Sequence, residues 1–345
     1  MTTQTQTRET TTIRTRATAP SPGQRILTEI SAPPTSTRKA KGQRFTKHTP
    51  AGEVVLAYLN AQAARLSVLD LAVRGDKADA VHQMRVTVRR LRATLQSFTG
   101  IMSGDQTRHL RAELKWLGGV LGGARDVEVL AEHLHAGLKA VPTELVLGPA
   151  QARITAHFAH AEASSRKAVL DALDSQRYRA LRAELDRLLD RPPLTPAASE
   201  PAGKALPTAV HRAYRRTRRR MRSTGHAPAG RPRDVALHEA RKAAKRARYA
   251  AEAARPALGK RTGKKARRFV RGMKDVASTL GAHQDAVIAR TAARAIGVQA
   301  HLAGENAFSF GLLHERAHQQ ALACETQAHR AWRRARRESR WLGKS

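Results

Sequence analysis

The residues from Val81 to Phe98, VHQMRVTVRRLRATLQSF, constrain the backbone more than any other stretch. Apolar side chains at Val81, Met84, Val88, Leu91, Leu95 and Phe98 recur at alternating steps of three and four. That spacing is one stripe of an amphipathic helix. His82, Arg85, Arg89 and Arg92 form a second stripe, about 110° round the same helix. One face can therefore bury in a helical core while its neighbour carries a rail of positive charge. Successive cations on such a rail lie roughly 5–6 Å apart, which suits an extended row of anions better than one carboxylate.

The device returns at Leu237 to Glu252, LHEARKAAKRARYAAE, with an offset of 156 positions. Its stripe is His238, Arg241, Lys245 and Arg248, flanked by Lys242 and Arg246. A single Lys/Arg run reads by default as a solvated helix face. Two copies of His-x-x-Arg-x-x-x-basic-x-x-Arg point instead to a shared task. A second correspondence follows each copy. Leu110, Leu114, Leu117 and Leu121, with Arg108 and Lys115 alongside, match Phe269, Met273, Val276 and Leu280, with Arg267 and Lys274, 159 positions later. The change in offset places three extra residues in the intervening loop. Along the earlier helix, Arg108, Arg111, Lys115, Gly118, Gly122 and Arg125 share a face. Glycine inside a helix costs about 1 kcal/mol relative to alanine. Gly118, Gly119, Gly122 and Gly123 therefore mark close packing, close approach of a ligand to bare backbone, or a helix break.

Helical periodicity accounts for the rest. Residues 1–50 are rich in Thr, Pro, Ser and basic residues and read as a disordered tail, whose cluster Arg38, Lys39, Lys41, Arg44 and Lys47 can touch a polyanion non-specifically. Residues 51–190 form a first helical half, dividing near Asp174 where Asp174 or Ser175 can cap a new helix. Pro192, Pro193, Pro196 and Pro201 mark a linker over 191–203. Residues 204–341 form a second half. There is no useful strand signal. The expected fold is all-α, with two four-helix halves related by internal duplication.

Charge narrows the partners. Lys plus Arg number 63 and Asp plus Glu 28, a formal charge of +35. A folded protein carrying that self-repulsion reads as a binder of nucleic acid, anionic membrane or inorganic phosphate polymer. Aromatic residues are 4% of the chain, and only Tyr249 interleaves with the basic stripes. That argues against stacking on single-stranded DNA or RNA, though not against gripping a duplex backbone. The one cysteine, Cys324, excludes an internal disulfide, falls on an apolar helix face and fits a reducing compartment. No run of eighteen apolar residues occurs and no secretory signal is legible, so a cytoplasmic protein without membrane insertion is expected. The Thr- and Arg-rich start is superficially like an organellar transit peptide, but Ala and Arg are heavily used throughout.

The pattern His82-x-x-Arg85-x-x-x-Arg89-Arg90-x-Arg92 resembles the signature helix of the CHAD domain, the conserved histidine α-helical domain. LGGARDVEVL, with Arg125-Asp126, is similar to that family's second motif. The stretch from His238 and LGAHQDAVIA, with Asp285, resemble degenerate second copies; DSQRYRALRAELDRLL is similar to the fourth helix. The resemblance covers about 51–341. It implies a duplicated bundle with a pseudo-twofold axis and a basic groove or pore between the halves. It also implies binding of inorganic polyphosphate and association with polyphosphate granules. Carried over by position, His82, Arg85, Arg89, Arg92, Lys115 and Arg125 would line the site from the first half, and His238, Arg241, Lys245, Arg248 and Lys274 from the second. Arg90, Arg108, Arg111, Lys242, Arg246 and Arg267 complete the candidate set on the same helices. Asp126 and Asp285 are expected to orient basic side chains. Two departures stand out: Gln284 occupies the place of Arg125, and Val270 that of Arg111. Many family members also carry a triphosphate-tunnel domain with an alternating Glu-x-Glu-x-Lys motif, and no such motif occurs here.

His82 and His238 have two open roles, as protonated donors to phosphate or as structural groups at their helix starts. His314-Glu315-Arg316-Ala317-His318 matches the H-E-x-x-H zinc-protease pattern and keeps a metal-dependent hydrolase as a third reading, after non-specific nucleic-acid binding. His133-x-His135 and His157-x-x-His160 are weaker pairs. There is no phosphate-binding glycine loop and no carboxylate cluster suited to Mg²⁺. A non-enzymatic, cofactor-free binding protein is therefore expected.

Overall fold

The structure is a computed structural model and describes residues 44–343. Residues 1–43, which include most of the expected tail and Arg38, Lys39 and Lys41, lie outside the described residues. The described chain is all-α, with no strands and two isolated β-bridges. Nine helices follow in order among the described residues: α1 Ala51–Arg74, α2 Ala80–Ser97, α3 Arg108–Lys139, α4 Ala150–Asp174, α5 Gln176–Asp190, α6 Ala202–His226, α7 Arg231–Ala254, α8 Gly259–Leu302 and α9 Phe308–Arg337.

Each boundary has a local cause. Gly75 ends α1 by donating its backbone N–H to Leu71 O. Ser175 separates α4 from α5 as the sequence suggests, its hydroxyl accepting from Tyr178 N at 3.1 Å. The helix α2 stops at Ser97, and residues 101–103 beyond it pair with the proline-rich segment. Ser103 N donates to Pro193 O at 2.8 Å and Thr195 N to Ile101 O at 2.9 Å. That segment is also held at its far end, where Ala51 N donates to Glu200 O and Ala202 N to Thr49 O. It is thus a strap fastened to the entry of α1 and the α2–α3 turn. The three extra residues between the repeats do not form a longer loop. Only the 3₁₀ turn Arg255–Ala257 and Leu258 separate α7 from α8, and α8 starts eight residues before Arg267, the counterpart of Arg108.

Sequential helices pack on one another, and counterparts pack across the halves: α1 on α6, α2 on α7 and α3 on α8. This is the contact pattern that a pseudo-twofold arrangement of duplicated halves would give. The buried faces differ in bulk: α2 buries Met84, Val88, Leu91 and Leu95, whereas α7 buries Ala240, Ala243, Ala244, Ala247, Ala250 and Ala251. Alanine lets α7 sit close to several neighbours at once. Buried threonines in this core are satisfied by their own helices, Thr87 to Gln83 O, Thr94 to Arg90 O and Thr217 to Ala213 O. A further core joins the ends of α3, α4, α8 and α9 through Leu134, Ile154, Phe158, Ile296, Phe310 and Leu313. By length and hydropathy alone α1 could cross a bilayer, yet Val54, Val55, Tyr58, Leu59, Leu66 and Leu69 are buried inside the bundle.

Candidate functional site

A cleft of about 270 Å³ opens where α2, α3, α7 and α8 meet. From α2 it is lined by His82, Arg85 and Arg89, and from α7 by their counterparts His238, Arg241 and Lys245. Arg125, Asp126, Val129, Leu130 and His133 contribute from α3, and Gln284, Asp285 and Ile288 from α8. Five permanently or potentially cationic side chains and three imidazoles thus face two carboxylates.

The glycines explain how the cleft is shaped. No break occurs in α3 at Gly118, Gly119, Gly122 or Gly123. The Arg85 guanidinium lies across Gly122, where an added Cβ would stand 3.3 Å from one terminal nitrogen and 3.4 Å from Nε. In the second half the Arg241 guanidinium lies across Gly281 in the same way, at 3.1 Å and 3.3 Å. Gly281 follows Gly122 by 159 positions and Arg241 follows Arg85 by 156, so both sequence offsets converge on one contact. Gly119 and Gly123 have open space around their Cα hydrogens, and their presence has no such explanation.

The carboxylates sit beside arginines. Asp126 pairs with Arg85 at 3.0 Å, and Asp285 is an electrostatic neighbour of Arg241 and Lys245. Arg125 is held by Glu128 at 2.8 Å and reaches Glu132 at 3.8 Å. Gln284, in the place of a second Arg125, hydrogen-bonds His238 instead. The charge that remains is crowded. Burial, together with Arg89, Arg241 and Arg85, pushes the Lys245 ammonium down to about 6. Burial likewise pulls His82 down, with Arg125, Arg89 and Arg85 adding to the effect, and pulls His238 down, with Lys242 and Arg241. Several polar atoms are sequestered without a hydrogen-bond partner among the described residues, including the Nε donors of Arg89 and Arg241 and Nδ1 of His82 and His238.

The remaining candidates lie elsewhere. Arg90 is 3% exposed and belongs to the core, where it contacts Glu252 at 3.4 Å and lies over the Tyr249 ring. One residue beyond Arg89, it is turned about 100° away from the cleft, and the candidate site excludes it. Arg248 joins that group, pairing with Glu252 at 2.7 Å. Arg92 and Arg246 are half-buried, do not line the cleft, and Arg246 feels the charge of Arg92. Arg111 donates to the backbone oxygens of Thr107 and Gly104. Arg108 pairs with Asp105 and Lys242 with Glu239, while Lys115, Arg267 and Lys274 are exposed; none of these five lines the cleft. Conversely, Val129, Leu130 and Ile288 line it without having stood out in the sequence, and so does His133, which the sequence offered only in a weak His-x-His metal pair. His133 follows Asp126 by seven residues, two turns along one face, and that spacing was the available signal.

The H-E-x-x-H residues are on α9 and do not line this cleft. His318 Nδ1 lies 2.9 Å from Arg290, and Glu315 accepts from Gln319. No group of three His, Cys, Asp or Glu side chains suited to a metal occurs among the described residues.

Among known proteins, residues 57–294 match the CHAD domain. Two mycobacterial relatives, Uncharacterized protein MT2285 and Uncharacterized protein Rv2226 from two strains of Mycobacterium tuberculosis, are each 34% identical over 288 residues, covering 83% of this chain and 53% of theirs. The chain therefore spans about half the length of the curated relatives it matches. PptA from Streptomyces chartreusis superposes with a TM-score of 0.69 at 24% identity, over 83% of this chain and 100% of PptA. The CHAD domain from the plant Ricinus communis superposes with a TM-score of 0.62 at 23% identity, over 86% and 97% of the two chains. Both likenesses concern the fold, which agrees with the motifs at His82, Arg125 and His238. The chain belongs to the CHAD domain family.

Proposed function

We propose that this protein binds inorganic polyphosphate, without chemical turnover, in the cleft between α2, α3, α7 and α8, and that such binding places it on polyphosphate granules in the cytoplasm. The observation that carries the reading is the convergence of Arg85, Arg89, Arg241 and Lys245 on one cleft with little compensating charge. A phosphate polymer supplies a dense row of anions and needs no surface for bases. Arginine offers it forked donors and lysine a mobile point charge. The two carboxylates stand next to arginines, an arrangement suited to orienting those side chains rather than to gathering Mg²⁺.

The test is a competition titration. Labelled long-chain polyphosphate is displaced by unlabelled polyphosphate or by duplex DNA at matched phosphate concentration across a salt series. Preference for polyphosphate by about a hundredfold near physiological salt, about 2.7 kcal/mol, supports the reading. Equal competition at every salt concentration would make the cleft a general polyanion sink and favour a chromosome-associated role. In the same assay, reversing charge at Arg85 and Arg89 is expected to weaken binding far more than reversal at the exposed pair Arg336 and Arg337. Equal losses would sink the site assignment.

A further inference from the structure

A second concentration of positive charge lies outside the cleft. Arg212, Arg215, Arg216, Arg218, Arg219 and Arg222 are all exposed on α6 and line a recess of about 810 Å³. The cause is local. Leu206, Val210, Ala213, Thr217 and Met221 turn inward and bury, so the arginines between them must face out. No acidic side chain lines the recess, and none of the six arginines is ion-paired with another described residue. Like charges three and four apart on a helix repel one another, by a few tenths of a kcal/mol per pair. A face meant only for solubility would intersperse acids. Here the repulsion is left for a bound anion to relieve.

Between this face and the cleft the charges are also positive. Arg246 of α7 lies close enough to Arg216 of α6 and Arg92 of α2 for their charges to act on it, and Arg111 of α3 acts on Arg92. Arg92 is about one turn beyond Arg89, and Arg246 directly follows Lys245; both Arg89 and Lys245 line the cleft. Cationic side chains thus step from the cleft across α2 and α7 to α6. No Phe, Tyr or Trp lines the α6 recess, which disfavours a single-stranded nucleic acid and suits an unsubstituted phosphate chain.

We propose that the α6 arginine face is a second binding segment for the same phosphate polymer, reached from the cleft over Arg92 and Arg246. Long chains span both segments, and short ones fill the cleft alone. This rests on the polyphosphate reading of the cleft. Joining two segments through one polymer makes the second contact intramolecular, so affinity should rise with chain length once the chain can reach α6.

The experiment compares the intact chain with R212Q/R215Q/R219Q/R222Q and with R85Q/R89Q. Each is titrated with tripolyphosphate, with long-chain polyphosphate and with duplex DNA over a salt series. The α6 variant should bind tripolyphosphate as the parent does, lose roughly tenfold or more in long-chain affinity, and show a shallower salt dependence. The R85Q/R89Q variant should lose affinity for both. If the α6 variant keeps parental long-chain affinity and salt slope while R85Q/R89Q fails, the polymer ends in the cleft and the inference is wrong. If the α6 variant loses duplex DNA and keeps polyphosphate, the surface serves nucleic acid and the inference is again wrong. If R85Q/R89Q leaves polyphosphate binding intact, the cleft reading itself falls. Thermal melts check folding, and the milder R215Q/R219Q replaces the quadruple variant should that melt early.

Discussion

Lys245 and the two glycines carry the most testable consequences at the level of single residues. Burial and the charges of Arg89, Arg241 and Arg85, opposed by Asp285 on α8, hold Lys245 near 6 instead of the ordinary lysine value of about 10.4. Between those limits the unfolded chain holds a proton that the folded one lacks. Stability should therefore rise with pH across that window, and Lys245→Met should raise the melting temperature at pH 7. A bound polyanion favours the protonated forms of Lys245, His82 and His238, so binding should take up protons and weaken as pH rises above about 6. Calorimetry in buffers of different ionisation enthalpy reads this uptake directly. Lys245→Met should reduce it, and an unchanged uptake would place the protons elsewhere. For Gly122→Ala and Gly281→Ala the signs oppose. Each adds helix propensity worth about 1 kcal/mol but pushes a guanidinium out of place. Urea midpoints should rise or hold while polyphosphate affinity falls; a gain in both would show that the glycines do not seat the arginines.

Among elements, the contact of α2 with α7 is held by a buried ionic group outside the cleft lining. Glu252 of α7 reaches Arg90 of α2 at 3.4 Å and Arg248 at 2.7 Å, while both arginines lie over the Tyr249 ring. Removing one partner of such a buried group leaves unpaired charge and typically costs about 3–5 kcal/mol. Glu252→Ala should therefore lower the urea midpoint strongly. Arg90→Met fills the space without the charge and should cost less in stability. It should also leave the salt dependence of polyphosphate binding unchanged, since Arg90 does not line the cleft. A salt slope reduced as much as by loss of Arg89 would return Arg90 to the site. The strap over 191–203 bears on the same elements, because it ties the α2–α3 turn to the start of α6.

For the molecule as a whole, a formal charge of +35 makes self-repulsion part of the folding balance. Added salt should raise the melting temperature of the free protein by screening, while weakening polyphosphate binding through reduced counterion release. Polyphosphate at low salt should stabilise by mass action, with a shift that shrinks as salt rises. Thermal melts with and without the polymer over a salt series would show the two trends crossing. Parallel melts at every salt concentration would argue that the polymer does not select the folded state.

The sequence by itself determined the all-α class, because stripes at steps of three and four allow no other regular structure. It also identified the paired helices and the family, because both copies retain their basic rail in order. Ser175 as a cap was legible for the same local reason. What the sequence left open was which side of each rail meets its partner. A difference of one residue, about 100° of helix, sends Arg89 to the cleft and Arg90 to the core. Only the packing of α2 on α7 decides that. Tertiary structure also gave Gly122 and Gly281 their purpose, since the guanidiniums over them come from other helices. It brought His133 to the cleft and left Arg108, Lys115, Arg267 and Lys274 outside it. A helical pattern specifies a face, and the neighbour that covers or opens that face is set by contacts far apart in the chain.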